Sequence, residues 1–189
     1  MRTLILWIFA VTISTTAWAS ASTFQDPIPG ELYNEDNQPE LYCLAMNIYH
    51  EAKSEPIAGQ YAVADVVINR MFDTRYPNTI CEVVLQGPVR ESWKTRKDPN
   101  LSDEERQYYP VRHKCQFSWY CDGKADIITD VQSYKIALAV AHQVLSKYTM
   151  HDVTDGALFY HAYYVKPKWA REKIKTVVHE DHIFYRERN

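Results

Sequence analysis

Glu40-Leu-Tyr-Cys-Leu-Ala-Met-Asn-Ile-Tyr-His-Glu-Ala52 is the stretch on which the architecture turns. Leu41, Leu44, Ala45, Ile48 and Ala52 recur at helical spacing, which predicts an amphipathic helix over 40–52. At about 100° per residue the apolar stripe centres on those five positions, and Glu51 falls roughly 80° from the centre. A carboxyl at the edge of a buried stripe is partly desolvated, and its pKa rises. A raised carboxylic acid is what protonates the leaving oxygen of a glycosidic bond. Position alone favours the plainer alternative, a boundary glutamate that reaches water. His50-Glu51 begins a His-Glu-x-x-His zinc pattern, but Ser54 stands where the second histidine belongs. His50 also projects to the opposite face, so the zinc-protease reading of this helix fails.

The pattern continues on the C-terminal side. Pro56 suits the first turn of a second helix that carries Ala62, Val63, Val66 and Val67 and ends near Arg70. Its valines leave a strand open as the alternative for the middle. Thr79-Ile-Cys-Glu82 is a capping-box pattern, and Gly87-Pro88 marks the end of the short helix it opens. Residues 88–114 are charged and irregular and read as a surface excursion with one short helix, including a second capping box at Ser102-Asp-Glu-Glu105. Residues 131–147 are predicted helical, with Ile136, Val140 and Val144 on one stripe and Leu138, Ala141 and Leu145 beside it. The segments at 157–161, 176–179 and 182–185 are aromatic and β-branched and read as short strands. The expected fold class is α+β, mostly helical, with a small β element near the end.

Arg2, the apolar run Leu4 to Ile13 and the closing Ala17-Trp18-Ala19 have the form of a secretory signal peptide over residues 1–19. Ala21 offers a second cleavage site, and an uncleaved anchor is the alternative. Residues 20–39 hold Pro27, Pro29, Gly30 and Pro39 and read as a linker or mobile arm, leaving 40–189 as the domain. A periplasmic or secreted protein is expected, without stable membrane insertion. Four cysteines in an exported chain predict two disulfides with three connectivities open, of which Cys43–Cys81 and Cys115–Cys121 are favoured. A zinc site lacks any Cys-x-x-Cys pair, and a catalytic thiol needs one cysteine left unpaired. His179 and His182 point to opposite faces of an extended segment, so a shared metal there needs a turn.

The net charge of −3 directs the chain neither to nucleic acid nor to an anionic membrane. Only 5 glycines argue against phosphate-cradling loops, and no cofactor or metal is expected. The 14 tyrosines suit a glycan surface and a half-buried core alike. Cys115-Gln-Phe-Ser-Trp-Tyr-Cys-Asp-Gly123 is an aromatic loop stapled at its ends. Gln116 and Ser118 can hydrogen-bond sugar hydroxyls or acetamido groups and Trp119 can stack, while Phe117 and Trp119 also fit as core plugs.

Several blocks in order resemble the SleB-type cell wall hydrolases, the spore-cortex-lytic enzymes and their relatives in non-spore-formers and phages. These are Asn47-Ile-Tyr-His-Glu-Ala52, Gly59-Gln60-x-Ala-Val-Ala64, Val67-Ile-Asn-Arg70, Tyr76-Pro-Asn-Thr-Ile80 with Val83-Val84, Cys115-Gln-Phe-Ser118, Gly156-Ala-Leu-Phe-Tyr160 and His182-Ile-Phe-Tyr185. The resemblance covers about 40–185 and implies a lysozyme-like, lytic-transglycosylase-like fold acting on peptidoglycan. It implies Glu51 as the single acid/base, which closes a 1,6-anhydro ring on the muramic sugar without adding water. Two carboxylates are the rule for glycoside hydrolysis, and Asp65 and Asp122 are the alternative second groups. A lysozyme-type hydrolase and a wall amidase or peptidase remain the alternative activities. In the family context Gln116, Ser118, Trp119, Tyr160 and His161 are candidate substrate-binding residues, with Trp169 and Tyr185 beside them. Phe117, Phe159 and Phe184 are assigned to core packing. No wall-binding repeat is expected ahead of the domain, and cortex specificity is not carried over. A monomer is expected.

Overall fold

The computed structural model describes residues 36–147 and 152–188. The leader and most of the arm lie outside the described residues. Among those described, no helix is long and apolar enough to cross a membrane.

Helix α1 (Pro39–Ala52) forms as its spacing predicts, but it is enclosed on more than one face. Cys43, Met46, Asn47 and Tyr49 are buried along with the apolar stripe. The reason is that α2 (Ile57–Phe72), α3 (Ile80–Val84) and α5 (Val131–Lys147) all pack against it. The polar groups this buries are mostly paired. Asn47 accepts from the indole N–H of Trp119 (3.1 Å), and the Tyr49 hydroxyl accepts from the N–H groups of Thr129 (3.1 Å) and Asp130 (3.0 Å) just ahead of α5.

The strand alternative for the valine-rich segment fails. Ala62, Val63, Val66 and Val67 lie on a 16-residue helix and are fully buried, so packing overrides the β-propensity of single valines. Pro56 stands just before that helix instead of inside its first turn, and the helix runs two residues beyond Arg70. In α3 the Thr79 hydroxyl accepts from the Glu82 N–H (3.3 Å) and donates to its carboxylate (2.7 Å). The Ile80 N–H donates to Glu40 of α1 (2.6 Å). The helix stops at Val84, short of Gly87. That glycine serves a close approach, since a Cβ there would lie 2.9 Å from the Cys115 sulfur.

The excursion is more regular than expected. Strands β1 (Val89–Glu91) and β2 (Tyr108–Pro110) pair antiparallel, with Arg90 opposite Tyr109, and α4 (Trp93–Arg96) lies between them. Three-residue strands carry too little alternation to be read from sequence. The capping box at Ser102 and Glu105 is present and opens a single 3₁₀ turn, Asp103–Glu105.

Helix α5 has the predicted bounds; Val140, Val144, Leu138 and Ala141 are buried as expected, joined by Tyr134 and Ala137, while Ile136 and Leu145 are only partly buried. The C-terminal sheet comprises β3 (Phe159–Ala162), β4 (Ile174–His179) and β5 (His182–Arg186), antiparallel in the order β3-β5-β4. Two apolar clusters result. One surrounds α1, α3 and α5; the other joins Ala62, Val63 and Val66 of α2 to Ala157 and Phe184. Tyr160 packs against both.

Both favoured disulfides are present, and the described residues include no free cysteine. Cys43–Cys81 ties α1 to α3 across 38 residues of sequence. Replacing both cysteines by alanine is expected to cost about 3–4 kcal/mol by loop-closure entropy. Urea denaturation of the double variant checks this, and an unchanged midpoint refutes it.

Candidate active site

Glu51 is the penultimate residue of α1, where the helix meets the sheet. It keeps some accessible surface, but its carboxyl is largely desolvated, and burial raises its pKa. Two neighbours oppose that rise. The Tyr160 hydroxyl donates to Glu51 Oε2 (2.9 Å), and the Arg70 guanidinium acts through its charge. The Tyr160 hydroxyl is itself enclosed, and burial beside Glu51 raises its pKa well above the ordinary tyrosine value, so it stays a neutral donor.

Arg70 is 5 % exposed. Its Nε donates to the Leu158 carbonyl (2.8 Å), two residues ahead of Tyr160. Its guanidinium lies over the rings of Tyr76 (5.5 Å) and Phe117 (5.2 Å). With the Gln116 amide oxygen turned inward, both terminal nitrogens donate to it at 3.2 Å. Arg70 lies in one of the family-like blocks, but the sequence alone gives it no role. A signal was there: Arg70 continues the buried spacing of Val63, Val66 and Val67, and a cation on such a stripe needs partners.

Glu55 is a second residue whose place is visible only in the folded chain. Its Oε1 lies 3.9 Å from His182 Nδ1, and the His182 ring stands edge-on to Tyr160 with centroids 5.2 Å apart. Burial pulls the His182 pKa down against the opposing pull of Glu55.

The other candidates divide. Tyr160 and Gln116 join the Glu51 constellation, one directly and one through Arg70. Trp119 stacks on His50 (4.6 Å) while its N–H is held by Asn47, so the core-plug reading accounts for its packing. Ser118 is exposed at the start of the 3₁₀ turn Ser118–Cys121. His161, Tyr185 and Trp169 form a group of their own. His161 stacks on Tyr185 (5.2 Å) and is hydrogen-bonded to its hydroxyl (3.0 Å), and Trp169 meets both edge-on. Phe159 pairs with Tyr185 across β3 and β5, whereas Tyr160 pairs with Phe184, so this group lies on the sheet face opposite Tyr160. Phe159 tilts against Trp169 and is half-exposed instead of buried; Phe117 and Phe184 are core, as expected.

Neither alternative carboxylate is bonded to Glu51 or Tyr160. Asp65 accepts from the Val153 N–H (2.9 Å), and burial pushes its pKa up to about 7. Asp122 accepts from the Lys124 N–H (2.7 Å), which holds its pKa down. His179 and His182 are cross-strand partners at the β4–β5 turn, not opposed along one extended strand. The turn sets them side by side; among the described residues there is no group of three or more histidine, cysteine or acidic side chains that could hold a metal ion.

The model of the cell wall hydrolases matches residues 54–185. The chain belongs to that family. Glu51 stands just ahead of the matched segment. Over 53 residues the chain is 36% identical to the spore cortex-lytic enzyme of Bacillus cereus, which is 28% of this chain and 20% of that protein. Over 59 residues it is 36% identical to the spore cortex-lytic enzyme of Bacillus subtilis, 31% of this chain and 18% of the relative. The match thus spans about a fifth of the curated relatives' length. Among solved structures, the catalytic domain of the Bacillus cereus SleB protein superposes with a TM-score of 0.50 at 23% identity, covering 79% of this chain and 91% of that one. The catalytic domain of the germination-specific lytic transglycosylase SleB from Bacillus anthracis gives 0.52 at 24%, covering 82% and 99%. At this identity the likeness shows the fold, and the mostly helical, lysozyme-like α+β class holds.

Tyr160→Phe removes a hydrogen bond to the ionised form, so the Glu51 pKa is expected to rise further. A folded pKa above the unfolded one stabilises the protein at low pH, and that contribution is lost as pH rises through the folded pKa. The variant therefore extends this loss to higher pH. Carbon-detected NMR titration of labelled glutamates reads both; a Glu51 titration left in place refutes the assignment.

Proposed function

We propose that the protein degrades peptidoglycan by cleaving the bond between N-acetylmuramic acid and N-acetylglucosamine as a lytic transglycosylase, with Glu51 as its one acid/base. The observation that carries this reading is the Glu51–Tyr160 pair: a desolvated carboxyl whose partner is a neutral phenol, with neither Asp65 nor Asp122 bonded to it.

The chemistry follows from that environment. Burial favours the protonated carboxyl, which donates to the glycosidic oxygen as the C1–O bond breaks. The carboxylate left behind is supported by the Tyr160 hydroxyl and by the Arg70 charge. It then takes the proton of the muramic C6 hydroxyl as that oxygen closes on C1. The products are a free N-acetylglucosamine hydroxyl end and a 1,6-anhydromuramic end. Glu51 regains its proton and no water is consumed. Activity depending on the acid form falls as pH rises through the raised Glu51 pKa. The substrate lies outside the cytoplasmic membrane, which requires export; the leader read at residues 1–19 would supply it.

Glu51→Gln keeps size and polarity but has no proton to give, and a loss of about 10²–10⁴-fold is expected. Mass spectrometry of the soluble products then separates the routes. Anhydro ends, lighter by one water, support transglycosylation. Reducing ends alone mean a lysozyme-type hydrolase, and released peptides with intact glycan mean an amidase or peptidase. Full activity of the variant removes Glu51 from the chemistry.

A further inference from the structure

A cavity of about 690 Å³ opens where the disulfide-closed loop meets the end of α3 and strand β3. Tyr76, Phe159, Gln86, Gln116 and Lys114 are among the residues that line it; the Tyr76 ring also meets the Arg70 guanidinium and the Phe159 ring meets Lys173 Nζ. The Gly87 backbone forms part of the wall, because the packed Cys115 leaves no room for a side chain.

The charges around this cavity are not equivalent. Arg75 is paired with Asp73 (2.5 Å) and Glu187 (3.2 Å), and Glu187 also takes Lys173 (2.6 Å). These groups neutralise one another. Lys114 is exposed and has no carboxylate partner among the described residues. Two glutamines, two aromatic residues and a lysine without a carboxylate partner among the described residues therefore line the cavity.

That set discriminates between the two parts of a peptidoglycan strand. The sugars carry no net charge once the lactyl carboxyl of the muramic residue is amide-bonded to its peptide. The stem peptide carries free carboxylates, a row of amide groups and small apolar side chains. Carboxamides match the amides, rings suit the methyl groups, and the free ammonium needs a carboxylate. The cavity is also tied to Glu51: Gln116 lines it and accepts from Arg70, whose charge acts on Glu51. A stem hangs from the same muramic residue whose C1 bond breaks, so a stem site belongs close to the acid.

We infer that this cavity is a subsite for the acidic peptide stem, with Lys114 pairing a stem carboxylate, and that the enzyme prefers stem-bearing strands to bare ones. The inference rests on the glycan-cleaving reading above.

The test uses the full-length purified protein on two substrates: uncross-linked strands carrying tetrapeptide stems, and the same strands stripped by an amidase. The readout is the ratio of kcat/KM on the two. The wild type is expected to favour stem-bearing strands about tenfold, as for one charge-assisted hydrogen bond. Lys114→Glu is expected to bring the ratio to about one or below, and Lys114→Arg to keep it. Thermal melts confirm that both variants fold. A wild-type ratio near one, or a ratio unchanged in the folded Lys114→Glu variant, overturns the subsite while glycan cleavage stands. Cleavage of neither substrate overturns the glycan-cleaving reading and the subsite with it.

Discussion

A carboxyl taken out of water must keep its proton or find donors. Glu51 is held between those outcomes. Its helix ends against the sheet, and Tyr160, packed against both apolar clusters, closes the space around it. Among the described residues, the groups that favour its charge are one neutral phenol and a guanidinium acting at a distance. A direct bidentate arginine would lock the group as an anion, and an apolar cage would lock it as an acid. The arrangement between these extremes is what the proposed mechanism asks of one carboxyl, which first gives a proton and then holds the charge.

Arg70 is what keeps that arrangement in register. Its Nε fixes the Leu158 carbonyl and so the start of β3, which carries Tyr160. Its terminal nitrogens fix Gln116, and its flat face packs against Phe117 of the same disulfide-closed loop. Helix α2, the sheet and the loop thus converge on one buried cation. Removing any partner would leave a charged donor unsatisfied in the interior, a larger cost than the hydrogen bond alone. The Gln116 amide then passes the same link to the cavity beside Lys114.

Legibility in the sequence followed the range of the forces involved. Helices α1 and α5 and the short strands of the C-terminal sheet were readable because apolar periodicity and β-branched, aromatic runs act over a few positions. Both disulfides were favoured from spacing and cellular context. The β1–β2 pair was not readable, since its stability comes from cross-strand partners about twenty residues apart. His161 was grouped with Tyr160 although neighbours on a strand point to opposite faces; it belongs instead with Tyr185 and Trp169. Arg70 and Glu55 went unassigned because their meaning lies in what surrounds them, and those partners come from distant parts of the chain.

The sequence by itself determined the elements, the mostly helical α+β class, the family blocks and the place of Glu51 at the edge of a stripe. Those follow from propensities and periodicities that act along the chain. Only the tertiary structure decided that the edge position is desolvated, that its partner is Tyr160, and that a buried arginine ties it to an amide-lined cavity. Desolvation and charge depend on what lies within a few ångströms in space, and Tyr160 lies 109 residues from Glu51 along the chain.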